Sequence, residues 1–156
     1  MAKLPDVGDK APAFSMTRDG GGTLSLAALK GKKVVLYFYP KDDTPGCTTE
    51  AIDFTRLKPE FEKAGAEVIG VSRDTVAKHE KFAAKHKLAV ALGADEDGSV
   101  TEAYGVWQEK SLYGKKYMGI QRATFLIDGD GVIRKIWPKV SVKGHADEVL
   151  AAARAL

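Results

Sequence analysis

The run Lys33-Val34-Val35-Leu36-Tyr37-Phe38-Tyr39 is apolar at odd and even positions alike once past its lysine. Successive side chains of a strand point to opposite faces of a sheet, so a strand without a polar face must be covered on both. That one segment calls for a sheet with helices packed on its two sides, an α/β arrangement. Pro40 ends the run. The turn-rich loop Lys41-Asp42-Asp43-Thr44-Pro45-Gly46 follows, and a helix opens with Cys47-Thr48-Thr49-Glu50-Ala51-Ile52-Asp53-Phe54.

The remaining segments extend the pattern. Pro59 is expected to break or kink the first helix, with Glu60 to Ala64 resuming it. Glu67-Val68-Ile69-Gly70-Val71 reads as a second buried strand. A helix from Thr75 to Lys87 is expected next, with Asp74 as its N-cap. Leu88 to Leu92 reads as a third strand, Ser99 to Tyr104 as a helix, and Gly105 to Gln121 as less regular chain. Ala123–Ile127 and Gly131–Trp137 are two strands joined by Asp128-Gly129-Asp130-Gly131, a strong hairpin signal. His145 to Ala155 closes the chain as a helix with Val149, Leu150, Ala153 and Leu156 on one side. The order β-α-β-α-β-α-β-β-α follows an N-terminal extension, and 156 residues suit a single domain spanning 1–156. Periodicity reaches a one-domain α/β protein. The order of elements and the position of the cysteine narrow it to a thioredoxin-like fold, a central mixed β-sheet flanked by helices.

Several function classes are disfavoured. The formal charge of +3 is modest and its acidic and basic residues interleave, so no basic face for nucleic acid is expected. The apolar runs are too short to span a membrane, and the N-terminal MAKLPDVGDKAPAF has no signal core. One cysteine rules out an internal disulfide and suits a reducing, cytoplasmic setting. His79, His86 and His145 have no ligand-like spacing with Cys47 or with each other, so no metal is expected. The lysines around His79 and His86 place both on an exposed surface. With no Gly-x-Gly-x-x-Gly loop, no nucleotide cofactor is expected either.

Cys47 stands where a buried strand hands over to a helix. Helix N-terminal N–H groups and the macrodipole favour an anion there, and a thiolate is one. An ordinary thiol, near 8.5, is only a few per cent ionised at neutral pH; ionising most of it takes a drop of about two to three units, or about 3–4 kcal/mol. A helix terminus supplies about 1 kcal/mol, so a nearby cation is needed as well. A lone cysteine is more often a small buried hydrophobe. The flanking Gly46, Thr48 and Thr49, with Thr44 three residues earlier, argue for chemistry instead.

The segment Tyr37-Phe38-Tyr39-Pro40-Lys41-Asp42-Asp43-Thr44-Pro45-Gly46-Cys47-Thr48-Thr49-Glu50 resembles the active-site segment of peroxiredoxins. It is similar most of all to the peroxiredoxin Q branch, also called bacterioferritin comigratory proteins. The family pattern Pro-x-x-x-Thr-x-x-Cys falls on Pro40, Thr44 and Cys47. The likeness continues through Gly70-Val71-Ser72-Arg73-Asp74, Tyr113-Gly114-Lys115 and Gly119 to Ile127, and so covers most of the chain. The resemblance implies a thiol peroxidase without metal or cofactor, in which the Cys47 thiolate attacks peroxide and becomes a sulfenic acid. It places the family's arginine on Arg122, which supplies the missing cation, gives Thr44 the peroxide oxygens to bind, and makes Pro40 a shield against water. Glu50 either orients Arg122 or favours the helix N-terminus. The implied partners are a peroxide and a thiol reductant (thioredoxin, glutaredoxin or a small thiol), and the implied state is a monomer.

The chain departs from its relatives at one point. Many of them carry a resolving cysteine at the position of Ile52 or of Ala83, and neither residue is cysteine here. The chain is then either a natural one-cysteine enzyme or a variant whose resolving cysteine at Ala83 has been replaced. Recycling falls to an external thiol in both cases, with sulfenic acid accumulating and over-oxidising readily. Two other classes stand beside this reading. A disulfide oxidoreductase needs Cys-x-x-Cys, and Thr44 occupies the first position. A non-catalytic interaction module or holdase on the same scaffold would need no reactive thiol.

Overall fold

The computed structural model describes residues 3–156, so Met1 and Ala2 of the N-terminal reading lie outside the described residues. Strand β3 (Lys33–Phe38) is an interior strand of a seven-stranded sheet. It runs parallel to β4 (Ala66–Ser72) on one side and antiparallel to β8 (Ala123–Ile127) on the other. Beyond β4 lies the parallel β5 (Ala91–Ala94), then the antiparallel β1 (Ser15–Arg18) and β2 (Thr23–Ser25). Beyond β8 lies β9 (Ile133–Trp137), so the mixed sheet is ordered β2-β1-β5-β4-β3-β8-β9.

The alternation along β3 divides the core in two. Val35, Tyr37 and Tyr39 face a layer with Phe54 and Phe61 of α1 (Pro45–Lys63), Phe82 of α2 (Val76–His86) and Leu150 of α4 (His145–Arg154). Val34, Leu36 and Phe38 face the opposite layer with Phe14, Tyr104, Phe125 and Ile133, beside α3 (Ser99–Ala103). Both parities of the run are buried, as its composition requires.

Helix α1 runs unbroken through Pro59, contrary to the expected break. Its buried stripe, Cys47, Ala51, Phe54, Leu57 and Phe61, continues past the proline, which lies on the exposed face. Helices curve convex toward solvent, so a lost hydrogen bond on that side fits the curvature. The N-cap of α2 is Thr75, whose side chain accepts from the Lys78 N–H, and not Asp74. Asp74 instead accepts from Ser72 Oγ at 2.6 Å and from the Asp42 N–H at 2.8 Å. The third strand begins at Ala91 because Lys87 closes α2 in the left-handed conformation and Leu88 N–H returns to the Ala83 carbonyl. Leu156 falls beyond α4 and is exposed, while Val149, Leu150 and Ala153 are buried.

The largest departure lies in Gly105 to Gln121. It holds a two-stranded antiparallel ribbon, β6 (Trp107–Leu112) and β7 (Lys115–Ile120), joined by Tyr113-Gly114. Both turn residues have positive φ, 50° and 78°, as a two-residue turn that follows the strand twist demands. Leu112, Tyr113, Tyr117 and Met118 are exposed, so the ribbon has no apolar-in, polar-out alternation to read. Among the described residues, no helix is long and apolar enough to cross a membrane.

Candidate active site

Cys47 occupies the first turn of α1, which starts with Pro45 after the extended Thr44. Proline at the first helical position gives up an N–H that has no partner there in any case. The thiol is 1% exposed, at the inner end of the α1 stripe. Arg122, at the junction of β7 and β8, reaches it across the sheet: its Nη2 donates to Cys47 Sγ at 3.3 Å and its Nη1 to Glu50 Oε1 at 2.7 Å. One guanidinium thus spans a sulfur and a carboxylate one helical turn apart, a use of its fixed fork. Gly46 makes room for it, since a Cβ there would lie 3.2 Å from Arg122 Nη2.

The electrostatics are those of a buried cluster. Burial pushes Glu50 up to about 7, against the pull of Arg122. Burial works to lower Arg122, but Glu50 and Cys47 outweigh it and hold the guanidinium above its usual value. Glu50 Oε2 and the Tyr37 hydroxyl are buried without a hydrogen-bond partner. Burial, then the charges of Glu50 and Cys47, hold Tyr37 well above the normal phenol range. Lys110, half-buried on β6, is lowered by burial and then by Arg122, with Cys47 acting in the opposite sense.

Cys47, Glu50 and Arg122 are therefore in direct contact, and the Glu50 carboxylate bonds Arg122 rather than merely facing a helix end. Thr44 stands at the α1 N-cap position with its hydroxyl donating to the Lys41 carbonyl at 2.9 Å, which leaves oxygen lone pairs to accept another donor. Pro40 is exposed at the end of β3, at the start of the same loop. Ile52 is exposed on α1, and Ala83 is half-buried against the core on α2.

The expectation of an exposed His79 is overturned. It is fully buried, its Nδ1 lies 2.6 Å from Asp42 Oδ2, and its Nε2 lies 2.9 Å from the Gly93 carbonyl. The lysines around it in sequence occupy the outer face of α2, while His79 and Phe82, three apart, turn inward. His86 is half-buried and reaches Asp43 Oδ1 at 2.8 Å. His145 is buried against Thr124, and its burial lowers it to about 4. Among the described residues, no three His, Cys, Asp or Glu side chains are grouped to hold a metal ion.

The pattern of the AhpC/TSA family matches residues 7–136. This chain is a peroxiredoxin of the AhpC/TSA family. The chain is 50% identical over 145 residues to Peroxiredoxin Bcp of Bacillus subtilis, covering 93% of this chain and 92% of that one. It is similar to Xylella fastidiosa peroxiredoxin Q, with a TM-score of 0.93 and 38% identity over 99% of this chain and 98% of the other. A structure of Xanthomonas campestris bacterioferritin comigratory protein, concerned with alkyl peroxide reduction, is similar with a TM-score of 0.88 and 46% identity over 99% and 98% of the two chains. Structures of two cysteine-to-serine mutants of the Xanthomonas protein show that it has a pair of cysteines. They are as far apart in sequence as Cys47 and Ala83 are here. As a peroxiredoxin the chain is a thiol peroxidase: it reduces peroxide and draws electrons from a thiol. Its thioredoxin-like fold is that of its structural neighbours.

Proposed function

We propose that Cys47 is the nucleophile of this peroxidase, that Arg122, Thr44 and Pro40 form the peroxide site around it, and that residues 1–156 act as one domain. The observation that carries the reading is the Arg122 Nη2 donation to Cys47 Sγ at 3.3 Å, a charge-assisted contact at the helix terminus where a thiolate is best placed. The thiolate sulfur donates an electron pair to one peroxide oxygen and the O–O bond breaks. The leaving oxygen takes the bond pair and a proton, giving water or an alcohol, and Cys47 becomes a sulfenic acid. Arg122 offsets the charge moving onto the leaving oxygen, Thr44 accepts from the peroxide O–H, and Pro40 keeps bulk water from the sulfur. Glu50 fixes the plane of the guanidinium.

An external thiol completes the cycle. It attacks the sulfenic sulfur, releases water and forms a mixed disulfide, and a second thiol then restores Cys47 and leaves as a disulfide. With alanine at position 83 the chain cannot close an internal disulfide, so a small thiol recycles it more effectively than thioredoxin does. Hydrogen peroxide and alkyl hydroperoxides are the proposed substrates, a monomer the proposed state, and the cytoplasm the proposed setting, since a reducing compartment keeps a lone thiol available.

Stopped-flow oxidation of the reduced protein by hydrogen peroxide tests the reading, with Cys47→Ser as control. The expected result is a second-order rate orders of magnitude above that of free cysteine, lost in the variant. A folded protein reacting no faster than free cysteine points instead to a non-catalytic module on the same scaffold.

A further inference from the structure

The loop from Lys41 to Thr44 carries an unusual backbone: Asp43, not a glycine, has φ of 59°. Aspartate enters this left-handed region more readily than most residues, and what fixes it there is its surroundings. The surroundings here are side chains that grip the loop on both sides of Asp43. Asp42 Oδ1 accepts from the Tyr39 hydroxyl at 2.6 Å, Asp42 Oδ2 faces His79 Nδ1 at 2.6 Å, and the Asp42 N–H donates to Asp74. Asp43 itself accepts from Lys85 Nζ at 2.7 Å and faces His86 Nε2 at 2.8 Å. Helix α2 thereby holds the loop that bears Pro40 and Thr44, and His79 is the inner anchor.

The protonation of His79 follows from geometry. A carbonyl only accepts, so Nε2, 2.9 Å from the Gly93 oxygen, carries a proton. Nδ1 meets a carboxylate, so both ring nitrogens face acceptors. We propose that His79 is a positioning residue for the peroxide site: as an imidazolium seated between Asp42 and the Gly93 carbonyl, it holds the Lys41–Thr44 loop in the shape that presents Thr44 to peroxide above Cys47. The inference rests on the role given to Thr44 above.

The groups facing the ring are Asp42 in the loop, Tyr39 at the end of β3, Asp74 after β4 and the Gly93 carbonyl on β5, with Lys78 and Glu80 beside it in sequence on α2. Burial pulls His79 down, but Asp42, the Gly93 carbonyl and Asp74 outweigh it and raise the imidazole above its usual value. With a raised folded value, the grip is complete below about 6.5 and is lost as pH rises through the folded value.

The test is the second-order rate of Cys47 oxidation by hydrogen peroxide from pH 6 to pH 10 in wild type and in His79→Leu, His79→Asn, Asp42→Asn and Thr44→Val. His79→Leu is expected to slow oxidation by roughly tenfold, the scale of a displaced contact. The His79→Asn side-chain amide still donates to Asp42, and is expected to recover the rate to within about threefold while losing the alkaline decline expected of wild type. Asp42→Asn keeps the Tyr39 contact and pairs with a neutral imidazole, so it too is expected to lose that decline; it and His79→Asn decide the matter if His79→Leu does not fold. His79→Leu combined with Thr44→Val is expected to be no slower than Thr44→Val alone. Wild-type rates in folded His79→Leu overturn the inference, as does an unchanged alkaline decline in both amide variants. A Thr44→Val protein with the wild-type rate overturns the role of Thr44 itself, a failure distinct from that of His79.

Discussion

Arg122 does two jobs with one planar group, and a lysine cannot do both. A single ammonium can approach Sγ or Glu50 Oε1, but it lacks the fork that reaches the two at 3.3 and 2.7 Å. Losing one charge-assisted hydrogen bond is worth about 1.5–3 kcal/mol, so Arg122→Lys is expected to slow Cys47 oxidation by roughly ten- to a hundredfold. Stopped-flow rates for the two proteins check it, and equal rates sink it. At this scale the sequence pointed to Cys47 at a helix start and to Arg122 as its cation, and the structure brings those two side chains into contact. The contact between Glu50 and Arg122 joins residues 72 apart in the chain, and only the fold chooses between the two roles open to that carboxylate. His79 was misread for a similar reason. Its neighbours in sequence are lysines, while its neighbours in space are Asp42 and Gly93.

Most elements built on burial could be read, whereas the β6–β7 ribbon and the short strands β1 and β2 of the N-terminal extension could not. Strands β3, β4, β8 and β9 and helices α1, α2 and α4 all show an apolar pattern that burial explains. The β6–β7 ribbon stands largely outside the core, so its strands alternate with nothing. The surviving signal was Tyr113-Gly114, half of the favoured Asn-Gly pair. The ribbon nevertheless bears on the site, because Gln121 N–H closes its base on the Val106 carbonyl at 2.7 Å, one residue before Arg122. Gly114 has φ of 78°, and a β-branched side chain there costs about 1–2 kcal/mol. Gly114→Val is expected to speed amide hydrogen exchange across Trp107–Ile120 by roughly tenfold while leaving α1 unchanged. Tyr113→Asn, which suits its positive φ, is expected to slow it. Exchange rates unmoved by either variant would show that the turn does not hold the ribbon.

Across the whole molecule, two buried titrations oppose each other. His145, lowered to about 4 by burial, is neutral when folded; its contribution is present above 6.5, the ordinary histidine value, and is lost as pH falls toward 4. Glu50, raised to about 7 by burial, has the reverse sign: its contribution is present below about 4.5 and is lost as pH rises through 7. Each spans about 3 kcal/mol at most, so between pH 4.5 and 6.5 they largely cancel. Glu50→Gln removes one side of the balance. As pH drops from 6.5 to 4.5 its chemical-denaturation midpoint is expected to fall more steeply than the wild-type midpoint, and parallel curves for the two proteins would refute the cancellation. The α/β layering and the order of its main elements were legible at this scale, because one strand buried on both faces dictates a covered sheet. The balance was not, since it depends on how deeply two side chains are buried. The 1% exposure of Cys47 also reaches into kinetics. A peroxide is small enough to reach that sulfur, whereas a thiol on a bulky carrier must wait for the first turn of α1 to yield. With Cys47 as the proposed nucleophile, reduction by such a carrier is then expected to be the slow half of the cycle, with most molecules oxidised and open to further oxidation in steady state. Such a protein has a working life counted in turnovers rather than in hours, and the supply of small thiol sets that count.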